Sequence, residues 1–278
     1  MPSQYSIRSL TQFLTAKPER LSNILGRSYL ALLKIRKEIL SEQSPQSYQG
    51  LQAYQTSLLR ENQLSSGSSK LDQMLGHFQA GQVYEVIGCT NSGKTQLCLT
   101  TVAECLIAGG SVNYIDTKGD FSLQRLKQIL SSRGGSEPRL MQNVILHRAH
   151  TEIELVESVS SVGEDEEDMQ LLVVDNITLP LLKLTTEDHL QRGMYVGCSL
   201  GHLFQKIALS KAAVVLLVSN VKPGTDNLVA LGSLWDLTAN VRVLLETEDV
   251  HSRKASVVRG AGRQSTTFTI NNKGLSDS

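Results

Sequence analysis

Residues Gly88-Cys89-Thr90-Asn91-Ser92-Gly93-Lys94-Thr95 fit the spacing G-x-x-x-x-G-K-[ST] at every specified position, and their flanks decide what the stretch folds into. Upstream, Gln82-Val83-Tyr84-Glu85-Val86-Ile87 is a β-branched and aromatic run that reads as a buried strand. Downstream, residues 96–106 carry apolar side chains at helical spacing. A strand that passes through a glycine loop into a helix turns successive N–H groups, and the positive helix end, onto one point. That makes an anion site. The eight loop residues are predicted to cradle the phosphates of a nucleoside triphosphate, with Lys94 reaching the β/γ-phosphates and the Thr95 hydroxyl on Mg²⁺. Four specified positions coincide by chance on the order of once per hundred chains of this length, and the flanking pattern makes an accidental glycine turn rarer still.

Beyond the loop, apolar runs alternate with amphipathic stretches. Strands are predicted at 82–87, 111–116, 143–147, 170–175 and 213–219, with helices at 93–108, 121–132, 151–162 and 198–211 between them. This is the βαβ rhythm of a parallel sheet covered on both faces. Residues 241–245, 255–258 and 266–270 follow at short spacing without helices and read as antiparallel edge strands. The run Leu171-Leu172-Val173-Val174-Asp175 buries a strand and leaves a carboxylate at its C-terminal end, where ligands of open α/β sheets collect. Asp175 is therefore the second predicted Mg²⁺ residue beside Thr95.

Residues 1–43 carry apolar side chains at helical spacing, among them Leu21, Ile24, Leu25, Leu30 and Leu33, and predict a small helical unit. Residues 44–63 are rich in glutamine with no apolar period and read as a linker, so the main domain spans 64–278. Lys+Arg and Asp+Glu are both 27, which excludes a global basic field; any nucleic-acid contact must come from a local patch. No apolar run approaches the roughly 20 residues that span a bilayer, and Met1-Pro2-Ser3-Gln4-Tyr5 lacks a secretory pattern, so a reducing compartment and no membrane partner are expected. The four cysteines show neither C-x-x-C nor metal spacing and read as buried free thiols.

The residues that enter and leave this core resemble the RecA family, in its eukaryotic recombinase branch. Ser66-Gly67-Ser68-Ser69-Lys70-Leu71-Asp72 followed by Gly81-Gln82-Val83-Tyr84-Glu85 is similar to the entry into the family's ATPase core. Tyr114-Ile115-Asp116-Thr117 resembles the strand leading to the catalytic glutamate, residues 214–220 the strand before the second DNA-binding loop, and Leu231-Gly232-Ser233-Leu234-Trp235-Asp236 the segment closing that loop. The N-terminal unit and linker are most similar to the D-type paralogues of the strand-exchange recombinase. The resemblance, covering residue 64 to the C-terminus, implies a RecA-like P-loop ATPase core that binds ATP and Mg²⁺. It implies a nuclear subunit of a hetero-oligomer of recombinase paralogues, acting in homologous recombination and double-strand break repair, with single-stranded or branched DNA reached through the complex.

Departures bear on activity. Where the family pattern has its water-activating glutamate, this chain has Lys118, and an ammonium is no general base; such assistance is commonly worth about 10²–10⁴ in rate. Asp120, two residues on, is a candidate substitute. After Asn220 the pattern has a glutamine that senses the γ-phosphate, and here Val221 stands. The loop 222–230 carries one lysine, Lys222, against Asp226, a poor clamp for DNA phosphates. Lys183 and Arg192, in the other candidate loop 178–198, and Lys222 are the DNA-binding candidates; Tyr48 in the linker is the candidate anchor to a neighbouring subunit's sheet. Arg253, Lys254, Arg259 and Arg263 form the densest basic cluster, either a charged strand face or a contact to nucleotide or DNA. The acidic run 164–168 reads as a solvated loop or a partner contact. Two readings stay open: an ATP-binding subunit with weak or absent hydrolysis of its own, and a DNA-dependent ATPase that forms filaments and exchanges strands.

Overall fold

In the computed structural model of the chain, residues 13, 17–43, 63–135, 137–165, 167–185, 190–221, 231, 235, 238–260 and 262–277 are described. Contacts divide the chain into two compact units, Met1–Gln55 and Thr56–Ser278. In the first, helix α1 (Pro18–Leu25) starts on a proline whose missing N–H costs nothing at a helix start, and ends at Gly26 in the left-handed region. Helix α2 (Tyr29–Gln43) follows, and Arg36 donates two hydrogen bonds to the Phe13 carbonyl. Leu21 and Leu32 are buried, whereas Leu25, Leu30 and Leu33, which the helical spacing places with the apolar set, are exposed. A pair of short helices has one shared seam and cannot bury a second stripe.

The larger unit opens with a two-stranded ribbon, β1 (Gln63–Leu64) and β2 (Phe78–Gln79), around helix α3 (Ser69–Leu75). Ser68 caps α3 by accepting from the Leu71 N–H, and the Asp277 carboxylate near the C-terminus accepts from Ser68 Oγ at 2.6 Å and from the Lys70 N–H at 3.2 Å. The main sheet has nine strands: β3 (Val83–Gly88), β4 (Val112–Asp116), β5 (Val144–Arg148), β6 (Leu171–Asp175), β7 (Val214–Asn220), β8 (Val241–Thr247), β9 (Ser252–Arg259), β10 (Ser265–Asn271) and β11 (Gly274–Asp277). Their spatial order is β11-β10-β9-β8-β3-β7-β6-β4-β5. From β8 to β5 all neighbours are parallel, and from β8 to β11 all are antiparallel.

Alternation sorts the strand side chains into two cores. Tyr84, Val86, Tyr114, Val173 and Leu216 face helices α4 (Lys94–Ile107) and α5 (Leu123–Ser132). Val83, Ile87, Ile115, Val174 and Leu217 face α7 (Glu152–Glu164) and α9 (Leu190–Ser210) on the other side. Between them in sequence lie the short helices α6 (Glu137–Leu140) and α8 (Thr178–Leu181). Burial on both faces is why these strands read as apolar runs rather than alternating ones.

Several expectations need correction. The segment read as the first antiparallel edge strand is β8, which pairs in parallel with β3 and buries Val243, Leu244 and Leu245 inside the sheet. The last strand, β11, was not anticipated, because Gly274-Leu275-Ser276-Asp277 offers a single large apolar side chain. Helix α9 begins at Leu190 rather than 198, so most of the candidate DNA loop 178–198 is helical. Glycines at 193, 197 and 201 weaken its helical signature, yet packing requires at least the first: a Cβ on Gly193 would lie 2.2 Å from the Leu184 carbonyl oxygen. All four cysteines are free, but only Cys98 and Cys105 are buried; Cys89 on the glycine loop and Cys198 on α9 are exposed.

One polar group lies deep in the sheet. Glu85 on β3 is fully buried and accepts hydrogen bonds from Ser219 Oγ on β7, from Trp235 Nε1 at 2.8 Å and from Arg242 Nε on β8 at 2.7 Å. Removing the carboxylate takes its charged partner from the buried Arg242 and its acceptor from Trp235 and Ser219. Glu85→Ala is expected to lower unfolding free energy by about 3–5 kcal/mol in urea titrations; a loss below about 1 kcal/mol would show that the network contributes no net stability.

Candidate nucleotide site

Parallel pairing brings the carboxyl ends of β3, β7, β6 and β4 to one edge. Gly88 lies opposite Asn220, Val218 opposite Asp175, and Asp175 opposite Asp116. The glycine loop leaves β3 at this edge and enters α4. It bends through Asn91 (φ 65°) and Gly93 (φ 98°), both left-handed, and Ile270 closes over Gly93 so tightly that a Cβ there would lie 2.6 Å from its Cδ1. Cys89, Thr90 and Asn91 are exposed, while Ser92 and Lys94 are buried. Lys94 folds into the loop and donates to the carbonyls of Gly88 at 2.8 Å and Cys89 at 2.6 Å. Burial and then the charge of Lys118 push the Lys94 ammonium down to about 8, against the opposing pull of Asp175.

Asp175 ends β6 with its side chain 2% exposed. Its Oδ2 accepts from Thr95 Oγ1 at 2.6 Å and from the Tyr114 hydroxyl at 3.2 Å. Burial first, and then this carboxylate, raise the Tyr114 hydroxyl well above its ordinary value. The other oxygen, Oδ1, is buried without a hydrogen bond among the described residues and faces Lys118 Nζ at 3.6 Å. Ser92 Oγ, inside the loop, is likewise buried without a partner. A glycine loop at a helix start, an orphaned hydroxyl, a buried ammonium and a hydroxyl–carboxylate pair are the donor and acceptor set that a phosphate chain with a hard divalent cation needs. In donor chemistry the residues fit ATP with Mg²⁺, which 88–95 and the Thr95–Asp175 pair would hold.

Lys118 owes its position to Asp116. The Asp116 carboxylate, 2% exposed, accepts the N–H groups of Lys118 (3.1 Å), Gly119 (2.9 Å) and Asp120 (3.3 Å) on Oδ1 and of Phe121 (3.0 Å) on Oδ2. A single buried acid thus wraps the whole loop and aims the lysine at Asp175. Asp120 lies 3.6 Å from the same ammonium, on the solvent side. Thr117 exchanges hydrogen bonds with the Asn176 backbone, Asn176 Nδ2 donates to Asn220 Oδ1 at 3.0 Å, and the Asn220 N–H donates to Thr178 Oγ1 at 3.0 Å. This chain of amides and hydroxyls joins the ends of β4, β6 and β7. Val221, next along, packs against the core on the α7–α9 face.

Lys94, Thr95, Asp175 and Lys118 therefore meet at one edge. Of the DNA-binding candidates, Lys183 lies in the 3₁₀ turn after α8 and Arg192 in the first turn of α9, while Lys222, and the candidate anchor Tyr48, fall outside the described residues. Of the basic cluster, Arg253 packs over Gly93 and donates to the carbonyls of Asp249 and Ser252. The described residues of the acidic run are exposed, and Lys211 donates to the carbonyls of Asp165 and Glu167. Sequence reasoning missed Asp116 as the loop's anchor and Tyr114 as a partner of Asp175. The signal for Asp116 was present in an acid placed before Thr-Lys-Gly, where side chain and following amides meet in a turn. Among the described residues no helix is long and apolar enough to cross a membrane, and no three His, Cys, Asp or Glu form a metal cluster.

Fold and loop together define a RecA-like α/β core carrying a phosphate-loop motif, with antiparallel strands added at its C-terminal end. A family model described as Rad51 matches residues 59–226, more than half of the chain, and the chain belongs to the Rad51 family. It is 25% identical to DNA repair protein RAD51 homolog 4 of Bos taurus over 259 residues, covering 87% of this chain and 78% of that protein. The mouse protein of the same name is 23% identical over the same span. DNA repair and recombination protein RadB of Methanococcoides burtonii is 28% identical over 229 residues, 77% of this chain and 98% of that protein.

If Asp116 holds the loop, Asp116→Ala should speed hydrogen exchange at the amides of residues 118–121 by about 10–100-fold, the loss of charge-assisted bonds, while β3 and β6 stay protected. Unchanged exchange at those amides would contradict the assignment.

Proposed function

We propose that this chain is an ATP-binding subunit of a nuclear hetero-oligomer of Rad51-family proteins that promotes homologous recombination and DNA double-strand break repair, with weak hydrolysis of its own. The observation that carries this reading is the ammonium of Lys118 at the position where the family resemblance puts a water-activating carboxylate, 3.6 Å from Asp175. Residues 88–95 would bind the phosphates, with Lys94 exchanging its two carbonyl partners for phosphate oxygens and Ser92 gaining a partner for its hydroxyl. Thr95 and Asp175 would hold Mg²⁺, whose charge would offset that of adjoining phosphates. Lys118 can take no proton from water while it is an ammonium, and Asp120, the nearby carboxylate, stands 63% exposed on its solvent side. Val221 offers no polar group where the family resemblance has a γ-phosphate sensor, so the nucleotide acts as a structural ligand rather than as fuel.

The subunit role rests on two features. Among the described residues the sheet ends at β5, whose adjacent residues Ile145 and Leu146 are both exposed; since neighbours on a strand point to opposite faces, this edge suits strand addition. The helical unit 1–43, tethered by 44–63 with Tyr48 as its candidate anchor, would offer a second surface to a different partner. DNA is reached through the complex, with Lys183, Arg192 and Lys222 as candidate contacts.

Co-purification of the tagged chain from its own cells should recover other Rad51-family proteins, and steady-state ATP turnover by the purified chain should stay low with or without single-stranded DNA. Lys118→Glu should raise that turnover, within the roughly 10²–10⁴ that general-base assistance provides. Robust DNA-stimulated turnover by the unmodified chain alone would overturn this reading in favour of a filament-forming strand-exchange ATPase.

A further inference from the structure

We propose that the Lys118 ammonium is a built-in cation of the nucleotide site, standing at Asp175 in the role a divalent metal would serve, so that this chain holds ATP with little dependence on Mg²⁺. The inference rests on the nucleotide reading above and adds to it a property that loop motif and fold do not supply. Asp175 has both oxygens engaged by groups of this chain: Oδ2 by Thr95 and Tyr114, and the buried Oδ1 by Lys118 alone among the described residues. The lysine is held there by the Asp116-wrapped loop rather than by chance of a long side chain.

The two carboxylates around Lys118 differ in a way that suits polyanion binding. Asp120 is 63% exposed, and a solvated pair of this kind is weak, so an incoming phosphate competes for the ammonium on that side. Asp175 is buried and keeps its partner. A divalent cation arriving at Asp175 must displace an ammonium tethered to the same chain, present at the high effective concentration that tethering confers. With Lys94 inside the loop and Lys118 across from it, the phosphate chain meets two fixed positive charges before any metal binds.

The test is a titration of the full-length chain with a fluorescent ATP analogue, in excess Mg²⁺ and in EDTA. For the unmodified chain the dissociation constant should differ by less than about threefold between the two conditions. Lys118→Gln should lose about tenfold or more in EDTA and recover it in Mg²⁺, while Lys118→Arg, which keeps the charge, should follow the unmodified chain. An unmodified chain that loses about tenfold or more on metal removal overturns the proposal, as does a glutamine variant with the same metal response as the parent. Lys94→Ala separates the two levels of the argument. If the unmodified chain binds through Lys94 yet needs the metal, the built-in cation alone fails; if it binds in neither condition, or binds regardless of Lys94, the nucleotide reading fails and takes this proposal with it.

Discussion

The carboxylate of Asp175 is where helix α4, strands β6 and β4 and the Lys118 loop are tied together. Thr95 reaches it from the first turn of α4, Tyr114 from β4 and Lys118 from the loop after β4. Each contact depends on strand register. A one-residue slip of β6 against β4 would part Asp175 from Asp116 and turn its side chain to the other face of the sheet. The apolar cores on both faces make that slip costly, so hydrophobic burial sets the precision of a polar site it does not touch. Asp116 adds the second constraint, because four amides on one buried acid leave the loop few alternative shapes.

A second polar system runs behind the first. Glu85 binds Ser219, Trp235 and Arg242, joining β3 to β7, β8 and the residue that closes the loop after β7. The Thr117–Asn176–Thr178–Asn220 chain links the ends of β4, β6 and β7 at the site's edge. In a sheet buried on both faces such groups are tolerated only when their partners are in place, so they fix the relative position of the strands more than they add stability. Val221 breaks the polar series at the point where the loop begins.

How much of this was legible in the sequence follows from the range of the interactions. The glycine loop between β3 and α4, the acid ending β6 and the parallel core were readable because each depends on local spacing: a glycine-lysine motif, an apolar run ending in an acid, and alternating strand and helix periods. Helix α9 was cut short because Gly193, Gly197 and Gly201 lower helix propensity, while the reason for the first is a close approach to Leu184 that only the fold reveals. The parallel placement of β8 and the added strand β11 are likewise decided by tertiary pairing. Lys118 was visible as a replaced residue, but its partner was not, since 118 and 175 meet through the β4–β6 register and not through sequence. Exposed Cys89 and Cys198 show the same limit: composition says that a thiol is free, not which way it faces.

The account stands on the nucleotide being a ligand that this fold holds through the glycine loop. Thermal unfolding of the purified chain with and without ATP measures that most directly, because a ligand bound only by the native state stabilises it by mass action. At about 100 times the dissociation constant the gain is about 2.7 kcal/mol, or a rise of roughly 5–10 °C in Tm for a core of this size. The account predicts that rise for the unmodified chain and its loss in Lys94→Ala. No rise, or the same rise in both proteins, would contradict it.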